Sequence, residues 1–117
     1  MSAHPFTITD ELINDTLCTA LEGGITYWAQ SAEPTTWPEG VEYASDVLTH
    51  GADLVIVVGE DDDHPEYRLT KAKFVKAIRE YCKEFKTTPA GMEDDPVDAG
   101  AADWIVQVAL FGEAVYA

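Results

Sequence analysis

Three observations predict an α+β fold, a small antiparallel β-sheet packed against three helices. A β-branched run, DLVIVVGE, then turn residues and YRLT, reads as a hairpin over about residues 53–69. Apolar residues at helical spacing flank it, giving helices over about 10–29, 71–86 and 99–115. The length of 117 residues, 46% hydrophobic, fits one domain spanning 1–117 around one core.

The first helix opens with Thr9 as N-cap and Asp10 and Glu11 in its first turn, where negative charge suits the helix dipole. Leu12, Ile13, Leu17, Ala20, Leu21, Gly24 and Trp28 follow in phase, so the helix is expected to run to residue 29. The Pro-rich SAEPTTWPEG then reads as a loop. VEYASDVLTHG suits a strand or a short helical turn equally well. DDDHPE is the hairpin turn. Thr70 caps the second helix, Leu69 is placed to staple onto Phe74, and Phe74, Ile78, Cys82 and Phe85 form its apolar face. KTTPAGMEDDPVDAG reads as a loop. Asp98 caps a last helix that is apolar almost all round, with Trp104, Ile105, Val106, Val108, Leu110 and Phe111, as expected of a central, buried helix.

Charge is the most unusual property. Twenty-two acids and seven bases give a net charge of −15. A surface this negative repels nucleic acid and anionic membranes and attracts basic proteins, including those that bind nucleic acid. All seven bases lie between Arg68 and Lys86, a segment with only Glu80 and Glu84 as acids; it carries +5 and the rest of the chain −20. Such asymmetry also predicts pairing between copies of the chain, weakened by salt. There is no run of about 18 apolar residues for a transmembrane helix. The N-terminal MSAHPFTITDEL lacks the pattern of a secretory signal, so the expected location is cytoplasmic. Cys18 and Cys82 read as free buried thiols.

Candidate sites are few. Lys76, Arg79, Lys83 and Lys86 step by three and four residues and share one helix face, which suits a phosphate-bearing ligand, an acidic protein surface or simply solvent. The acidic turn, with Glu60, Asp61, Asp62 and Asp63, clusters the oxygens a hard cation wants. It lacks the alternation and central glycine of a Ca²⁺ loop and reads as a solvated, partner-accessible tip. The second acidic cluster, Glu93 to Asp98, is partly a helix N-terminus. His4, His50 and His64 are too scattered for zinc, and no nucleophile or phosphate-loop motif occurs. The expectation is a protein that is not an enzyme, with no metal and no cofactor.

ALEGG and ALFGEAVY each place Ala, Leu and Gly on an apolar helix, and small residues let helix axes approach closely. The expected result is a crossing of the first and last helices near Gly24 and Gly112. Gly23, Tyr27, Trp28, Phe111 and Tyr116 would pack around it, and Glu22 and Glu113, if buried there, would need partners.

The same residues carry a resemblance. Ala20, Glu22, Gly23, Gly24, Tyr27 and Trp28 near the start, and Asp98, Ala99, Asp103, Gln107, Ala109, Leu110, Phe111, Gly112, Glu113, Val115 and Tyr116 at the end, are similar to motifs of a group of small tailed-bacteriophage proteins. Ala117 departs from the group's final glycine. The resemblance implies a phage context in a host cytoplasm and no particular chemistry. It favours a non-catalytic binding protein, a counter-defence inhibitor or nucleic-acid-mimicking decoy acting on a basic host protein. The alternatives are a sponge holding a nucleotide signal on the basic helix, and a minor structural or assembly factor.

Overall fold

Side chains of Thr9, Thr70, Thr88 and Asp98 start four helices in the computed structural model, which describes residues 5–60 and 62–117. These are α1 (Asp10–Thr19), α2 (Lys71–Glu84), α3 (Pro89–Asp94) and α4 (Ala99–Phe111). Each cap accepts a hydrogen bond from the backbone N–H three residues on, at 2.8–3.1 Å, filling donors that the first turn leaves open. His4 and Asp61 lie outside the described residues.

The sheet has three antiparallel strands in the order β1 (Ala29–Pro34), β2 (Leu54–Val58), β3 (Glu66–Leu69). Leu54, Ile56 and Val58 are fully buried, while Val55 and Val57 on the other face are half-buried. The core therefore lies on one side of the sheet. There, α4 packs against α1, α2 and β3, and buries Ala102, Ile105 and Val106 with Leu12, Ile13, Leu17, Phe74, Ala77 and Ile78. The architecture is α+β, with helices on one face of a small antiparallel sheet. Among the described residues, no helix is long and apolar enough to cross a membrane.

Several boundaries differ from the sequence expectation. The first helix does not reach residue 29. After Thr19 it widens into a π-helical turn, Ala20–Gly24, closed by the Ile25 N–H on the Ala20 carbonyl at 3.0 Å, and there it stops. Residues 29–34, read as helix end and loop, form the edge strand β1. Its register runs from Ala29 opposite Val58 to Pro34 opposite Leu54, with an irregularity at Gln30. Proline is tolerated at an edge because it has no N–H to offer the ladder. Trp28 kept the helical phase only by coincidence: its indole is buried from a turn, beyond the helix.

The ambiguous 41–50 segment contains two 3₁₀ turns, Ala44–Asp46 and Leu48–His50. α3 occupies part of the segment read as a loop, with Pro89 in its first turn. α2 ends at Glu84, and α4 ends at Phe111 rather than 115, because Gly112 takes a left-handed φ of 82° and turns the chain back. Cys18 and Cys82 are free thiols and only half-buried, and Cys82 Sγ lies 3.6 Å from Met92 Sδ.

Candidate functional site

The close approach near Gly24 is real, but its partner is the start of α4. A Cβ on Gly24 would stand 2.7 Å from the Ala99 carbonyl oxygen and 3.3 Å from the Asp103 nitrogen. Gly112 lies roughly 20 Å beyond Ala99 along the helix axis. It caps α4, with open space where a Cβ would point. Gly23, Glu22 and Glu113 are exposed, so none of them belongs to a buried crossing.

Contact at Gly24 sets Tyr27 and Trp28 over the middle of α4. Trp28 Nε1 donates to Asp103 Oδ1 at 2.7 Å, and the Tyr27 hydroxyl donates to Oδ2 at 2.6 Å. Gln107, one turn on, donates from Nε2 to Oδ1 at 2.9 Å. Its Oε1 accepts from the backbone N–H groups of Val115 and Tyr116 at 2.6 and 2.8 Å, and its Nε2 donates to the Tyr116 carbonyl at 3.1 Å. The returning tail lays the Tyr116 ring on Trp28, centroids 5.4 Å apart and 14° from parallel. Phe111 meets Trp28 edge-on at 5.6 Å and Tyr67 of β3 at 4.8 Å.

Asp103 is thus buried beneath three neutral donors, and every buried side-chain polar atom among the described residues has a partner. Burial, then the hydrogen bond and charge of Asp103, push the Tyr27 phenol up to about 12. A saturated carboxylate of this kind holds structure: it ties the π turn, α4 and the C-terminal tail together. Asp103 and Gln107 were not singled out as site residues. The available signal was a polar pair four residues apart on the buried stripe of an otherwise apolar helix.

The basic residues behave differently. Lys76, Arg79 and Lys83 share one exposed side of α2, and Lys86 follows its end with a left-handed φ of 53°. Arg79 donates to the Phe6 carbonyl at 3.3 Å. Among the described residues the ion pairs are Arg68–Asp53 at 2.8 Å and Lys71–Asp10 at 3.5 Å, both away from that face. Glu60, Asp62 and Asp63 are exposed at the hairpin tip, and Asp61 lies outside the described residues. No group of three His, Cys, Asp or Glu side chains among the described residues is placed to hold a metal ion.

Two hollows flank the aromatic end of α2. One, about 640 Å³, lies between α2 and α4 over Ala77, Trp104 and Val108, with Lys73 and Lys76 facing Glu80, Glu84 and Glu113. The other, about 440 Å³, lies where α2 ends against the link from α3 to α4. Compared with protein-family models, curated proteins and solved structures, the chain matches none.

Proposed function

We propose that the protein is a non-catalytic binding protein that presents an acidic surface to a basic protein partner, as a decoy for machinery that binds nucleic acid. The observation that carries this reading is the state of the carboxylates. Of those described, Asp46 and Asp53 are half-buried, Asp103 is buried, and all the others are exposed. Only Asp53 and Asp10 are ion-paired among the described residues. Unpaired surface charge of one sign steers oppositely charged partners and costs the fold little to offer. The resemblance of both ends of the chain to small tailed-phage proteins supports a partner in a host cytoplasm and a counter-defence role.

Capture from host lysate at two salt concentrations, with and without a duplex DNA competitor, tests the reading. A partner that is basic, released by salt and displaced by DNA is the expected result. A partner indifferent to both, or none at low salt, would overturn it. The alternative of a nucleotide sponge on the basic helix has less support. The larger hollow, beside Lys76, also carries Glu80, Glu84 and Glu113, which repel phosphate, and the hollow beside Arg79 and Lys83 is a smaller one of about 260 Å³.

A further inference from the structure

We infer that the hollow at the C-terminal end of α2 is a receptor for an arginine side chain of that basic partner; the inference rests on the reading above and gives the acidic surface a specific anchor point. The hollow, about 440 Å³, is lined by Tyr81 and Phe85 from α2, by Met92 and Val97, and by the carboxylates of Asp95 and Asp98.

Three features select a cation. Tyr81 and Phe85 form an aromatic corner, ring centroids 4.7 Å apart and inclined by 37°, each also packed edge-to-face with Trp104 at 5.8 and 5.3 Å, and Phe85 leaves 52% of its surface open to solvent. The faces of such rings attract a guanidinium, which stacks on them with its weakly hydrated plane. Opposite stand two carboxylates. Asp98 spends one oxygen on the Ala101 N–H at 2.8 Å, and the Asp95 side chain has no hydrogen bond or ion pair among the described residues. The 14-residue helix α2 also ends here, so its negative pole faces the hollow. No lysine or arginine lines it; Arg79 and Lys83 line an adjoining hollow with Phe6.

Electrostatics agree with the geometry. Burial first, and then the charges of Asp98, Cys82 and Asp95 in that order, raise the Tyr81 phenol, so both carboxylates are among the groups acting on that ring. The larger hollow between α2 and α4 mixes two lysines with three glutamates and selects neither sign. Arginine suits this site better than lysine because one flat group can stack on the ring and bond a carboxylate at the same time.

The test titrates Nα-acetyl-L-arginine amide into ¹⁵N-labelled protein. Saturable shifts confined to Tyr81, Phe85, Asp95, Ala101 and the Trp104 indole are expected, with the lysine analogue weaker and the glutamine analogue inert. Tyr81→Leu and Asp95→Asn should each weaken binding by roughly two- to fivefold. Asp98→Asn should do the same while keeping the helix cap. Shifts that never saturate, scatter over the acidic surface and ignore these variants would overturn the site. Should Tyr81→Leu fail to fold, the exposed Asp95→Asn decides. A basic partner captured equally well by wild type and Asp95→Asn would refute the anchor and leave the decoy reading intact. Arginine-amide binding without any basic partner would do the reverse.

Discussion

The indole N–H of Trp28 meets the buried carboxylate of Asp103 at 2.7 Å across 75 residues of chain. Through that carboxylate the end of the π turn, the middle of α4 and, by way of Gln107, the C-terminal tail become one unit. Asp103→Ala would leave the Trp28 indole N–H unmet inside the protein and take one acceptor from Gln107, which keeps the Tyr116 carbonyl. The expected loss is about 3 kcal/mol, read by urea unfolding. Asp103→Asn keeps the shape and one acceptor, so its loss should be smaller; equal losses would mean that packing, not hydrogen bonding, dominates.

The glycines make a graded prediction. Gly24→Leu must push the Ala99 carbonyl away and should cost more than ~2 kcal/mol by overpacking. Gly112→Ala meets open space but a φ of 82°, and should cost about 1 kcal/mol from strain alone. Gly23→Ala, exposed and with nothing near its Cβ, should be neutral or stabilising by a few tenths of a kcal/mol. A different order in thermal unfolding would refute the assignment of the close approach to Gly24.

Alkaline pH should loosen the network at Tyr27. Its folded-state pKa, raised to about 12, lies above the ordinary value of 10.0. The neutral phenol therefore contributes stability that is full below pH 10 and lost as pH rises toward 12. Tyr27 is 44% exposed, so solvent screening keeps the effect modest. Tyr27→Phe should lose the highest-pH step in a spectrophotometric tyrosine titration and flatten the stability profile there. An unchanged titration would overturn the assignment.

Self-association follows from the charge asymmetry as a proposal. The exposed face of Lys76, Arg79 and Lys83 makes no ion pair among the described residues; Glu80 and Glu84 share its helix and Glu113 stands near Lys76, and the other acids lie outside α2. Sedimentation at low ionic strength should show a species larger than the monomer, reverting to monomer by about 0.5 M salt as screening shortens the reach of charge. A monomer under both conditions would refute pairing between copies.

Much of the fold was legible because its signals are local. Caps at Thr9, Thr70 and Asp98 act within one turn, and the alternation of Leu54, Ile56 and Val58 with their neighbours acts within one strand. β1 was hidden because a short polar strand ending in proline has no periodicity of its own. It exists through pairing with β2, whose partners lie 20 to 29 residues away. The site was less legible still. Glu22 and Glu113 share the glycine motifs and are exposed, while Asp103 and Gln107, named only for the resemblance and not as site residues, form the buried centre.

By itself, then, the sequence determined the α+β class, three of the four helix starts, the hairpin and the separation of a basic segment from an acidic remainder. All of these depend on residue type and near-neighbour spacing. The tertiary structure alone decided where the first helix gives way to a strand, which surface meets Gly24, and that Trp28, Asp103, Gln107 and Tyr116 share one network. Those outcomes depend on contacts between distant segments, whose free energy arises only when the whole core closes.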